Sequence, residues 1–300
     1  MIKKLTTTIS VGAEKPFSLL HMSDTHLTLA DERDDERKRT LAANRSGFFP
    51  EALETMEAGE KLAREKQLTI VHSGDLIDFV SSANLDEARR FTEENDCFFA
   101  AGNHEFSLYV GESFEDAAYR NQSLGQVQKS FKNDIRFSSR MINGVNLVAI
   151  DNSYYLFDEQ QLEELKQEVV KGYPILLLMH TPLYSEKLYE FSVERESDHV
   201  AYLMNVPREK MAQYSEYRVR QQLADEVTRQ AYEYIIGTPQ IKAIITGHIH
   251  GDFEDWLTPN LPQYMTDCTT LRETQMEGTP GRRMKPCFCP GLEKRRNNRW

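Results

Sequence analysis

Five short stretches of the chain carry side chains able to bind cations or move protons. They are SDTH (Asp24, His26), SGDLID (Asp75, Asp78), AAGNHEF (Asn103, His104), a lone His180 and TGHIHG (His248, His250). Singly, each has an ordinary explanation, because Asp after a strand is a frequent turn former or helix cap. Their shared position carries the weight: each follows an apolar run of strand length, and three set a glycine beside the polar group. Carboxylate, imidazole and amide donors without thiolate suit manganese, iron or zinc in a reactive site, not a structural cysteine-bound zinc. Seven such groups (Asp24, His26, Asp75, Asn103, His180, His248, His250) are too many for one tetrahedral ion. They match two ions sharing a bridging carboxylate, and a pair about 3.5–4 Å apart serves in-line displacement at phosphorus. In an extended segment residues i and i+2 face one side, so the DxH and HxH pairs are expected to address one side of a site each.

The elements that must deliver these groups are legible as apolar runs: Phe17–Met22, Leu68–Val71, Cys97–Ala101, Val145–Ile150, Ile175–Met179 and Ile241–Ile245. Most are nearly continuous, as strands covered on both faces are. Helical patterns lie between them. PEALETMEAGEKLAREK is expected to start at Pro50, with Leu53, Met56 and Leu62 on one face. NLDEARRFTEEN offers Asn84 as N-cap with Glu87 three residues on, and DEQQLEELKQEVV repeats the spacing with Asp158 and Gln161. The latter carries a stripe of Leu162, Leu165 and Val169. Alternation of strand and helix predicts an α/β architecture, in which ligands gather at the carboxyl ends of strands.

Charge and composition narrow the classes. A net charge of -11 with 40% apolar residues describes a globular protein and argues against nucleic-acid binding, which needs basic surface. No apolar run has the length of a membrane span. No signal-peptide core follows the basic start, and four cysteines make no disulfide framework, so a cytoplasmic setting is expected. Residues 31–39, DERDDERKR, read as a solvated loop or helix face. Residues 183–240 are a tyrosine-rich insertion, read as helical from Pro207 to Ile236, serving as packing, as a cap over the site or as a partner surface. Residues 279–300 form a basic tail behind a single domain of residues 1–278. Little strand material is legible after TGHIHG beyond Leu261–Leu271.

The ordered series SDTH, GDLID, GNHE, His180 and GHIH, spanning residues 24 to 250, resembles the calcineurin-like metallophosphoesterase superfamily. LLHMSDTHL is similar to its bacterial branch with small phosphodiesterases. The resemblance implies a four-layer α/β/β/α sandwich of two mixed β-sheets flanked by helices. It implies one ion held by Asp24, His26, Asp75 and His250, and a second by Asp75, Asn103, His180 and His248, with Asp75 bridging. His104 would stand near the leaving group, oriented by Asp78, with Gly102 allowing a tight exit from the strand and Glu105 in a direct or a supporting role. The expected reaction is hydrolysis of a small phosphodiester or phosphomonoester: a metal-bridging hydroxide attacks phosphorus in line and His104 protonates the departing oxygen. GDLIDFV and AAGNHEFSL lack the arginines with which Ser/Thr protein phosphatases grip phosphate, and Asp78 stands where purple acid phosphatases carry tyrosine. Some members of the fold are interaction scaffolds that have lost ligands or the catalytic histidine, whereas this sequence retains them all.

Overall fold

The apolar runs fold as strands whose alternate side chains enter different cores. The computed structural model describes residues 1–196 and 198–278; the basic tail at 279–300 lies outside the described residues. The first half comprises Lys3–Ser10 (β1), Phe17–Met22 (β2), Glu36–Arg45 (α1), Ala52–Lys66 (α2), Thr69–His72 (β3), Ser82–Glu94 (α3), Cys97–Phe99 (β4) and Ala117–Val127 (α4). Phe137–Ile142 (β5), Val145–Ile150 (β6), Glu159–Val170 (α5) and Ile175–Leu178 (β7) follow. The chain continues with Glu186–Arg195 (α6), Glu216–Gln222 (α7), Glu226–Gly237 (α8), Ile241–Thr246 (β8), Phe253–Thr258 (β9), Leu261–Met265 (β10) and Thr270–Glu277 (β11).

Two mixed sheets result. One has five strands in the order β1-β11-β2-β3-β4, the other six in the order β5-β6-β7-β8-β10-β9. Parallel pairing runs through β2, β3 and β4 in the first and through β6, β7, β8 and β10 in the second. In β3, Ile70 packs outward with Phe91 of α3 and Met56 of α2, while Val71 packs inward with Leu147 and Ile245 of the other sheet. In β7, Leu176 and Leu178 share that inner layer, while Ile175 and Leu177 pack with Leu165 of α5 and Ile235 of α8. The layers are therefore helices, sheet, sheet, helices, as the resemblance implied. Among the described residues no helix is long and apolar enough to cross a membrane.

Several local expectations are corrected. After TGHIHG the chain adds three strands, β9, β10 and β11, and β11 pairs with both β1 and β2. Strands β1, β5 and β9 close sheet edges and expose part of their side chains, so none presents a continuous apolar run. Ser81, not Asn84, caps α3; Asn84 is buried, accepting from Leu29 N and donating to Phe79 O. Helix α2 begins at Ala52, two residues past Pro50, and buries Thr55, Met56, Gly59, Glu60 and Ala63 while Leu53 stays exposed. The helix read from Pro207 to Ile236 divides into a 3₁₀ turn at Arg208–Met211, α7 and α8, because Ser215 and Asp225 each cap a new start. Asp158 and Gln161 do form a capping box at α5. The charge-dense stretch leads into α1, which buries none of its residues.

Candidate metal centre

Strands β2, β3 and β4 run parallel in one sheet and β7 and β8 run parallel in the other, so their carboxyl ends can converge. The exits are not extended. Asp24, His26, Asp75, His248 and His250 have φ of 54°, 51°, 55°, 76° and 48°, the left-handed region that few non-glycine residues enter. Each such residue costs about 1–3 kcal/mol and persists where its surroundings over-determine it. The expected i, i+2 presentation along an extended segment is thus replaced by left-handed turns that direct both members of DxH and HxH to the centre. Backbone bonds fix the turns: Asp24 N donates to Gly74 O and His26 N to Asp75 O, each at 2.9 Å.

Glu105 ties the loops after β3 and β4 together. Its buried carboxylate accepts from Gly102 N at 2.7 Å, Asp75 N at 2.8 Å and Leu76 N at 2.7 Å. Burial and the charge of Asp75 raise its pKa. Its role is therefore to shape the Asp75 turn. Gly102 is required for proximity, since a Cβ there would overlap the Asp75 carboxylate. A Cβ at Gly247 would likewise overlap Ser23 and Asp24.

The side chains meet in three linked groups: Asp24, His26 and His250; His26, Asp75 and His104; Asp75, His180 and His248. Within each group the donor atoms lie within 4.8 Å of one another. His26 spends its Nδ1–H on Asp78 Oδ1 (2.9 Å) and His180 its Nδ1–H on Ser73 O (2.7 Å). When either ring is neutral its Nε2 lone pair is aimed at the centre, where Nε2 faces another imidazole nitrogen: His250 Nε2 at 3.0 Å from His26 and His248 Nδ1 at 3.1 Å from His180. Lone pairs and carboxylates packed this closely repel unless a cation or protons lie between them. Asn103 adds a buried Oδ1 with no hydrogen-bond partner among the described residues. This donor set fits a pair of transition-metal ions.

The field of the centre is negative. Burial lowers the pKa of His180, but Asp75 and Asp24 outweigh it and push it up to about 9. Burial likewise opposes protonation of His104, yet Asp75 and Asp78 push it up to about 10. Its Nδ1–H is donated to Asp78 O at 2.7 Å, leaving Nε2–H free. Asp78 is buried at a cost to its charged form, but Arg45, His104 and His26 hold its carboxyl far below the usual range. Arg45 Nε and Nη2 reach it at 2.6 and 2.7 Å.

All nine side chains singled out from sequence thus lie in one connected site. A cavity of about 580 Å³ opens over Asn103, His104, His248 and His250. Its remaining wall includes Arg45, Tyr155, Arg195, Tyr202 and Arg218, so the tyrosine-rich insertion supplies part of the roof. Phe49 stacks on His26 with ring centroids 4.1 Å apart. Sequence reasoning missed Arg45, Phe49, Tyr155, Arg195 and Arg218, whereas Tyr202 belongs to the tyrosine-rich insertion read as a candidate cap. The arginines absent from the motif flanks arrive instead from α1, α6 and α7, and no local signal marks them. Tyr155 follows the Val145–Ile150 run, so its strand-end position was the signal that could have found it.

The family model described as calcineurin-like phosphoesterase matches residues 17–252. No curated protein matches the chain. Among solved structures, a dimetal phosphatase from Danio rerio aligns at 12% identity and a TM-score of 0.49, covering 84% of this chain and 88% of that one. A 5'-nucleotidase from Candida albicans aligns at 16% identity and a TM-score of 0.41, covering 90% of this chain and 48% of that one. A phosphopantetheinyl hydrolase from Mycobacterium tuberculosis aligns at 10% identity and a TM-score of 0.42, covering 91% and 98%.

Proposed function

The chain belongs to the calcineurin-like phosphoesterase family, and from that premise we propose that it is a binuclear metal-dependent hydrolase of small phosphodiesters or phosphomonoesters. The observation that supports this best is the sharing of donors: His26 and Asp75 each take part in two of the three groups, which makes one continuous centre. Asp24, His26, Asp75 and His250 would hold one ion, and Asp75, Asn103, His180 and His248 the other. The donor types suit manganese, iron or zinc. When bound, such ions supply Lewis acidity, lowering the pKa of a water towards about 7 and offsetting the ester's negative charge.

The chain's own residues account for the leaving group. As the bond from phosphorus to the ester oxygen breaks, that oxygen takes the Nε2 proton of His104. The ring is kept charged by Asp75 and Asp78 and oriented by the bond from its Nδ1–H to Asp78 O. Arg45, locked on Asp78, keeps that carboxylate ionised and in place. The cavity accommodates a small ester. A cytoplasmic setting belongs to the same reading, since four cysteines in a chain of 300 residues make no disulfide framework.

Hydrolysis of p-nitrophenyl phosphate and bis-p-nitrophenyl phosphate with added Mn²⁺ tests the reading. Turnover of at least one is expected, and the ratio of rates assigns monoesterase or diesterase. Two bound ions with turnover of neither would overturn it.

A further inference from the structure

One strand end has no part in the signature motifs yet touches every group of the second half-site except the bridging carboxylate. Strand β6 lies beside β7 and continues into Asp151, Asn152, Ser153, Tyr154 and Tyr155. Asn152 Oδ1 accepts from His180 N at 3.1 Å and from Thr181 N at 3.0 Å. Tyr154 OH donates to Asn103 O at 3.3 Å. Tyr155 OH lies 3.0 Å from His248 Nε2. Both tyrosines are buried in the left-handed region, at φ of 62° and 64°. Two consecutive aromatic residues there are genuine outliers, and strain of this kind collects where a side chain must be aimed.

The direction of the Tyr155 hydrogen bond follows from the imidazole. The His248 nitrogen turned to the centre is Nδ1, 3.1 Å from His180 Nε2. For Nδ1 to offer a lone pair to an ion, a neutral ring must carry its proton on Nε2. The atom facing Nε2 is the phenol oxygen of Tyr155, which then accepts. Its own O–H has no other partner among the described residues, and Tyr155 lines the cavity beside Asn103, His104 and Arg218. The acceptor that chemistry supplies at this place is an anionic oxygen of the bound ester.

We propose that Tyr155 couples the two binding events: it holds His248 by accepting its Nε2–H, and so presents its hydroxyl proton to a phosphoester oxygen. The inference rests on the binuclear reading above, and its tests need no turnover. In the unmodified chain, titration with Zn²⁺ is expected to give ¹⁵N ring shifts of an Nε2-protonated His248; an unprotonated Nε2 in the loaded protein overturns the proposal. In Tyr155→Phe, calorimetry with Mn²⁺ is expected to show the second ion weakened ten- to hundredfold, the range for loss of a group supporting a metal ligand. With both ions saturating, inorganic phosphate should bind that variant at least tenfold more weakly. Unchanged affinity for either Mn²⁺ or phosphate overturns the proposal. Failure of the hydrolase reading looks different: the unmodified chain would bind ions and phosphate yet hydrolyse neither ester.

Discussion

At the scale of single residues the centre separates groups that would hold ions from the group that would move a proton. His104 lies in one donor cluster with His26 and Asp75, but its Nδ1–H is spent on Asp78 O and its backbone N donates to Asp75 Oδ1 at 2.8 Å. Removing its ring leaves Asp24, His26, Asp75, Asn103, His180, His248 and His250 in place. His104→Ala is therefore expected to keep its full metal content by elemental analysis and to lose about 10²–10⁴ in turnover, the usual weight of a general acid. The loss should be greatest for esters with poor leaving groups, because a good leaving group departs unprotonated. An unchanged rate on a poor leaving group would remove His104 from the mechanism. Asp75→Asn separates the roles from the other side. Asp75 stands in two donor clusters, so the purified variant is expected to have lost metal.

At the scale of elements, strand exits are positioned by close approach as much as by side-chain chemistry. Gly247 leaves β8 with its N–H on His180 O at 3.0 Å, against the side chains of Ser23 and Asp24. Gly247→Ala must displace Asp24, and overpacking of this kind costs about 1–3 kcal/mol. The expected result is a lower urea midpoint in the presence of chelator, together with weaker binding of the ion that Asp24 would hold. Gly125 within α4 has nothing near its would-be Cβ, so Gly125→Ala is expected to add about 0.5–1 kcal/mol of stability and to move the same midpoint upward. Equal shifts in both variants would show that contact with Asp24 plays no part. The same contrast explains what was legible in the sequence. Strands buried on both faces, such as β2, β3, β6 and β7, are nearly continuous apolar runs and were found within a residue or so of their ends. Edge strands β1, β5 and β9 owe their existence to a neighbour's hydrogen bonds, and only the fold supplies the neighbour. Motif side chains were legible because their types are unusual at strand ends. Arg45, Phe49 and Arg218 were not, because each reaches the site through an element whose path is set by tertiary packing.

At the scale of the molecule, two sets of buried imidazoles with oppositely shifted pKa values lie near the site and set how stability depends on pH. His21 and His72 are fully buried at the carboxyl ends of β2 and β3. His21 links Ser73 Oγ at 2.8 Å to Thr266 Oγ1 at 2.9 Å, and His72 Nε2 lies 3.0 Å from Thr25 Oγ1. Burial, with positive neighbours, lowers His21 well below its ordinary value and His72 to about 3. As pH falls below about 6.5 the unfolded chain binds protons that the fold refuses. Stability must then drop, by up to about 1.4 kcal/mol per pH unit for each ring, until the folded pKa is reached. His104 and His180 act in the opposite sense. Their folded values of about 10 and 9 mean that the metal-free fold holds protons the unfolded chain has released. That contribution is complete below about 6.5 and is lost as pH rises through 9 and 10. Urea midpoints of the chelated protein are therefore expected to peak near pH 6.5 and to fall on both sides. Mn²⁺ should flatten the alkaline limb, because metal binding gains as competing protons leave. His26, His248 and His250, lowered by burial, act with this acid limb, whereas the raised Glu105 and Asp24 act against it. A profile level from pH 6.5 down to 4.5 would therefore show that the buried imidazoles do not dominate stability there.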